Sequence, residues 1–186
     1  MLNRRGQAIS LDVIFGLMAF IFILLLVFWA WSHTLQKKVE YETVDEMNAL
    51  LYYATRSLMD TEGDPAHWSS FSNSEVTSDN IAALGLMARP GVFDLEKVQT
   101  LEGANATQYE EIKKILGISG AGYELHIAIY VFQLGDLEYP SSPSYEIGFI
   151  PSDASHVFKM ERIGAISNTG YPWTRMEVTL SKQEVQ

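Results

Sequence analysis

The chain has no cysteine among its 186 residues, which excludes a disulfide framework, thiol chemistry and any cysteine-ligated metal. Stability must come from packing alone. Basic residues are also scarce: 13 Lys and Arg against 23 Asp and Glu leave a formal charge of −10 and a pI near 4.8. Nucleic-acid binders usually carry a basic stripe, so nucleic acid is not an expected partner. Catalytic patterns are missing too. The four histidines, His33, His67, His126 and His156, contain no i,i+4 pair of the zinc type. No Gly-x-Ser-x-Gly elbow and no glycine-rich phosphate loop follows a strand pattern. Ser152-Asp153 lies near His156, and Glu110, Glu111 and Glu161 are available acids, but none has the spacing of a known catalytic arrangement. Neither an enzyme nor a bound metal or cofactor is expected.

What the chain does have is an uncharged apolar stretch that opens at Val13 and closes at Trp31. A bilayer core of about 30 Å crossed at a helical rise of about 1.5 Å per residue needs roughly 20 such residues, so this stretch spans a membrane or inserts deeply into one. The flanks leave its direction open. Arg4 and Arg5 precede it and Lys37 and Lys38 follow it, and acidic residues contribute little to topology. Ala30-Trp31-Ser32 has the small-x-small form of a conventional cleavage site, but the apolar run is long for a secretory signal.

Ahead of the stretch the chain reads Arg4-Arg5-Gly6-Gln7-Ala8-Ile9-Ser10-Leu11-Asp12. A basic pair, a small glycine, a polar glutamine and an acid just before the apolar run resemble an archaeal class III signal peptide of the type IV prepilin kind. The resemblance implies that a prepilin peptidase cuts between Gly6 and Gln7, leaving the helix on the mature chain as a membrane anchor before assembly and a filament core after it. It also implies that the C-terminal part lies outside the cell membrane. In the family, commonly Gln-x-Ser-x-Glu, the acid pairs with the new N-terminal amine of a neighbouring subunit. Asp12, with Ser10 beside it, takes that place here, although one extra residue separates Gln7 from Ser10. One residue turns a helical side chain by about 100°. Independently of the family, Asp12 fits a position at headgroup level, favouring the positive end of the helix.

Beyond the anchor, about 150 residues remain, enough for one small domain with its own core. Val44, Met47, Leu51, Ala54 and Leu58 recur three and four apart, predicting that the helix continues as an amphipathic segment. Gly63-Asp64-Pro65 ends it and opens a polar loop through Asn80, with Trp68 expected to pin that loop to the domain. Asp94 before Leu95, Val98 and Leu101, then Thr107-Gln-Tyr-Glu110 as a capping box before Ile112, Ile115 and Leu116, predicts two short helices. Asn105-Ala106-Thr107 between them is a candidate N-glycosylation sequon. In the last third the period becomes two. Tyr123, Leu125, Ile127, Ile129 and Val131 alternate with polar positions such as Glu124 and His126 as a central strand does. Segments 145–150, 156–166 and 174–180 supply three more strands, separated by turn residues.

The expected organisation is therefore a leader over 1–6, a transmembrane or filament-core helix over 7–35, its amphipathic continuation over 36–60, and an extracytoplasmic α+β domain over 61–186 with a roughly four-stranded antiparallel sheet and short helices. A long N-terminal helix lying on such a sheet is similar to type IV pilins and pseudopilins, and scattered positions such as Trp68, Gly85-Leu86, Lys97 and Tyr109 resemble uncharacterised archaeal pilin-like proteins. The resemblance implies a minor subunit of a surface filament or of a secretion or adhesion apparatus. Its expected partners are the membrane, the prepilin peptidase and other pilin-like subunits. Two alternatives stay open: a single-pass membrane protein that presents a binding domain without polymerising, and a conventionally secreted domain.

Overall fold

The structure, a computed structural model, describes residues 4–118, 120, 122–132, 140–167 and 172–183, with 4–12 described as helical backbone alone. Two compact units divide the chain, Met1–Asp45 and Glu46–Gln186. Helix α1 (Arg4–Asp60) runs for 57 residues, through a sequence with no proline and, after Gly16, no glycine before Gly63. Its last turn ends against segment 84–87: Leu86 N–H donates to Leu58 O at 2.8 Å, Met87 N–H to Thr61 O at 3.1 Å, and Thr61 Oγ1 to Ser57 O at 2.8 Å. These bonds satisfy carbonyls that a helix terminus leaves open. They also bring two backbones so close at Gly85 that a Cβ there would land on Gly63 N and Thr61 O. Only glycine fits.

In the second unit α1 presents Met47, Leu51, Ala54 and Leu58 to the core, all buried. The loop that follows makes two short 3-10 turns, Trp68–Ser70 and Asn73–Glu75. Trp68 is fully buried and donates its indole N–H to Gly85 O at 3.0 Å, pinning the loop as its aromatic character suggested. Strands β1 (Met87–Arg89) and β2 (Val92–Phe93) form a small hairpin around Pro90-Gly91. Helix α2 (Leu95–Ile115) starts at Asp94, whose side chain accepts the Glu96 N–H at 3.0 Å, an N-cap that satisfies an orphan donor. The two short helices expected here are present as two helical segments that follow one another across a kink at Gln108 (φ −126°, ψ 21°). Glu110, expected to close a capping box, instead pairs with Lys113 at 3.2 Å.

Strands β3 (Tyr123–Phe132), β4 (Tyr145–Gly148), β5 (His156–Ile166) and β6 (Trp173–Lys182) complete a six-stranded sheet in the order β1-β2-β5-β6-β3-β4. The expected four antiparallel strands thus form only part of a mixed sheet, since β2 lies parallel to β5 through Val92↔Ala165 and Phe93↔Ile166. The added strands are two and three residues long, too short for a period of two to be visible. The inner face of the sheet buries Leu125, Ile127 and Ile129 from β3 and Met176, Val178 and Leu180 from β6. They join the α1 stripe, Trp68 and the α2 residues Val98, Leu101, Ala104 and Ile112 in one core. Each such side chain of leucine size stabilises the fold by about 1.5–3 kcal/mol.

Helix α2 covers the β4 edge with side chains where a further strand would otherwise pair. Glu146 N–H donates to Glu102 Oε1 at 3.3 Å, and Gly148 N–H donates to Asn105 Oδ1 at 2.9 Å. Beyond the end of β4, the Tyr109 hydroxyl accepts the Leu125 N–H at 2.9 Å and lies 2.9 Å from Leu125 O. Gly148 has φ +76°, and a Cβ there would meet Leu125 O and the Tyr109 ring, so the approach of α2 requires glycine at this point.

Candidate functional site

The feature with the clearest functional consequence is the first unit. Among its described side chains, every residue from 13 to 31 is exposed, including Phe15, Phe22, Leu25, Phe28, Trp29 and Trp31. The helix is long and apolar enough to cross a membrane, and none of its apolar window is buried. Moving each large side chain of this kind from water into an apolar medium is favourable by about 1.5–3 kcal/mol. Burial in another apolar medium stabilises them. Toward the far end Trp29 stacks on His33 with centroids 5.9 Å apart, and Thr34 Oγ1 donates back to Ala30 O at 2.8 Å. The first ion pair after the stretch, Lys38–Glu42 at 3.6 Å, is solvent-exposed and marks the return of polar surface.

Arg4, Arg5, Gly6, Gln7, Ser10 and Asp12 lie in helical backbone, and their side chains fall outside the described residues. Asn105 is not on a loop: it lies within α2, half-buried, and its Oδ1 holds the Gly148 N–H. A glycan there would attach to the same amide that fastens α2 to β4.

Several candidate polar residues of the domain have structural partners. His67 meets Phe71 edge-on with centroids 6.4 Å apart, and His126 Nε2 lies 2.8 Å from Glu146 Oε1 across the β3–β4 pair. Asp153 Oδ1 accepts from Gln183 Nε2 at 3.0 Å, while His156 sits opposite Lys182 in the β5–β6 register. Among the described residues no hydrogen bond joins Ser152, Asp153 and His156, and no group of three His, Asp or Glu side chains is placed to hold a metal. Glu111 accepts the Ser78 N–H at 2.8 Å, which holds its carboxyl below the usual range. Lys159 does the same for Glu161 from 2.9 Å.

Two buried arrangements escaped the sequence reading. Lys97 is 3% exposed and donates to Glu62 O at 2.7 Å and Met87 O at 3.1 Å, tying α2 to the end of α1 and to β1. Lys113, also buried, pairs with Glu110 at 3.2 Å and Glu124 at 3.3 Å and lies over the Tyr109 ring. The Tyr109 hydroxyl is 2.7 Å from Glu124 Oε2. Burial, and then the hydrogen bond to Glu124, push that phenol well above its ordinary pKa. The i,i+4 spacing of Tyr109 and Lys113 was the available signal, but their shared partner on β3 was not visible from spacing. On the outer face of the sheet, Lys159 bridges Glu161 at 2.9 Å and Glu177 at 3.0 Å, and Arg175 reaches Glu177 at 3.2 Å.

Comparison with protein-family models, with curated proteins and with solved structures gave no match to this chain.

Proposed function

We propose that the chain is a type IV pilin-like subunit, anchored by the apolar part of α1 as a single-pass protein of the cell membrane with Glu46–Gln186 outside. A prepilin peptidase removes residues 1–6, and the mature protein serves as a minor component of a surface filament or of a secretion or adhesion apparatus. One observation carries the reading: an uncovered apolar helix stands directly behind Arg4-Arg5-Gly6-Gln7, so cleavage after Gly6 retains the helix instead of discarding it. Lipid covers these side chains before assembly, and neighbouring helices cover them within a filament. Asp12, near the mature end, is the group that pairs with a neighbour's new N-terminal amine.

A second reading, a membrane protein that never polymerises, draws support from Trp29 and Trp31, both exposed, because tryptophan favours the membrane–water interface. The deciding measurement is the mature N-terminus, read by intact mass and terminal sequencing from membranes of a host with archaeal processing machinery. A start at Gln7 supports the prepilin route. A retained Met1 overturns it in favour of the single-pass protein, and a start after Ser32 overturns both for a conventionally secreted domain.

A further inference from the structure

The sheet has one long edge that no strand or helix among the described residues covers. Strand β2 pairs with β5 only at Ala165 and Ile166, and β6 pairs with the other side of β5 along its whole length. Ile166 N–H donates to Pro172 O on the β6 side, whereas Ala165 N–H and Ser167 N–H donate to Gly91 O and Phe93 O on the β2 side. Backbone groups alternate along a strand, so Val157, Lys159, Glu161 and Ile163 aim their N–H and C=O groups away from β6, into the open edge. Among the described residues, only the Arg162 guanidinium reaches these groups, donating to Glu161 O at 3.1 Å. The contrast with β4 is direct, since Glu102 and Asn105 accept the N–H groups there. Uncapped edges of this length are templates for another strand.

The residues along the edge indicate which strand. Two copies of β5 meeting antiparallel about Met160 place Lys159 opposite Glu161 of the second copy, and Glu161 opposite its Lys159. Val157 faces the second Ile163, Phe158 faces the second Arg162, and Met160 faces itself. The charged contacts across the outer face are then both between opposite signs, and Val157 and Ile163, 51% and 65% exposed in the single chain, cover each other. The neighbouring registers fail. Centring on Lys159 sets two lysines opposite each other, and centring on Glu161 sets two glutamates opposite each other, arrangements that destabilise cross-strand pairs. In the favoured register the outward-pointing residues 157, 159, 161 and 163 meet one another in hydrogen-bonded pairs, giving about eight backbone hydrogen bonds.

We propose that this edge is a homodimer interface: two copies of the chain join through antiparallel β5–β5 pairing centred on Met160, forming one continuous sheet across a two-fold axis. The interface uses only the domain's own strand and does not rest on the leader reading. Arg162 guards the edge in the single chain and leaves Glu161 O when the second copy's backbone N–H replaces it.

The test uses the full chain in detergent micelles, and the absence of native cysteine makes it clean. Met160→Cys places two sulfurs at a non-hydrogen-bonded pair whose Cα atoms lie about 4.5 Å apart, within disulfide reach. Val157→Cys is the control. It is more exposed than Met160, yet its symmetry mate lies six residues further along the ladder, about 20 Å away. Under mild oxidation Met160→Cys gives a covalent dimer at least about tenfold faster than Val157→Cys, as the disulfide distance limits require. Adding Ile163→Pro removes an edge N–H without touching the β6 ladder, and it abolishes that cross-link while the circular dichroism spectrum is retained. Should Ile163→Pro fail to fold, Glu161→Lys, which sets lysine against Lys159 of the second copy, gives the same loss. Equal cross-linking at 157 and 160, no cross-link at either, or a yield indifferent to the folded edge variant each overturns the proposal, including the case in which only the membrane helices associate.

Discussion

Replacing Tyr109 by phenylalanine removes one oxygen from the place where α2 meets the sheet, and the consequence can be worked out atom by atom. The hydroxyl is the acceptor for the Leu125 N–H at 2.9 Å, and its single proton is shared between Glu124 Oε2 at 2.7 Å and Leu125 O at 2.9 Å. Leu125 is fully buried, so its N–H loses its partner with no room for water, at a cost of about 1–3 kcal/mol. Glu124 keeps Lys113 at 3.3 Å, which limits the further loss, and the net destabilisation is about 2–3 kcal/mol. For a domain of this size that lowers the melting temperature by roughly 4–12 °C. The assay is a thermal melt of the full chain in micelles followed by near-ultraviolet circular dichroism, with amide exchange at Leu125 as the local probe.

The same substitution changes the alkaline response. The folded protein holds the Tyr109 proton more tightly than the unfolded chain does, first because the phenol is buried and then because Glu124 accepts from it. For a group whose folded pKa is raised, stability is complete below the unfolded value, about 10 for tyrosine, and falls as pH climbs past it. Tyrosine at 109 therefore steepens the loss of stability above about pH 10, and Tyr109→Phe flattens it. Tyr123, also raised by burial, retains part of the slope in the variant. A variant that melts with the parent at neutral pH, or that keeps the full alkaline slope, refutes this account of the contact.

Gly85→Ala drives a Cβ into Gly63 N and Thr61 O, both backbone atoms that cannot swing aside; about 3 kcal/mol is expected from such overpacking, measured as a drop in melting temperature with Gly117→Ala, which meets nothing within 4 Å, as a test of crowding against the cost of positive φ alone. Asp94→Ala removes the acceptor of the Glu96 N–H and costs about 1 kcal/mol, seen as faster amide exchange in the first turn of α2. On the proposed pilin-like reading, Asp12→Ala spares cleavage after Gly6 and reduces incorporation into filaments; unchanged incorporation removes the pairing role of Asp12.

Much of the architecture was legible because it rests on period and punctuation. The apolar run at 13–31, the stripe Met47, Leu51, Ala54 and Leu58, the Asp94 cap and the bounds of β5 each depend on residues near one another in sequence. The two-residue β2 was not legible, because it is too short to show a period and its place in the main sheet comes from Ala165 and Ile166, more than seventy positions away. Asn105 illustrates the same limit. Its sequon, placed between two expected helices, reads as a surface loop, whereas its side chain accepts the Gly148 N–H at β4.

By itself, the sequence determined that this chain carries an exposed apolar helix and an acidic, cysteine-free α+β domain, since hydropathy and periodicity are local sums over side chains. Only the tertiary structure decided which edges of the sheet are closed. Glu102, Asn105 and Tyr109 cap one edge from α2, and among the described residues Val157 to Ile163 leave the other open, because satisfying a backbone N–H depends on what folding brings beside it and not on the residue that bears it.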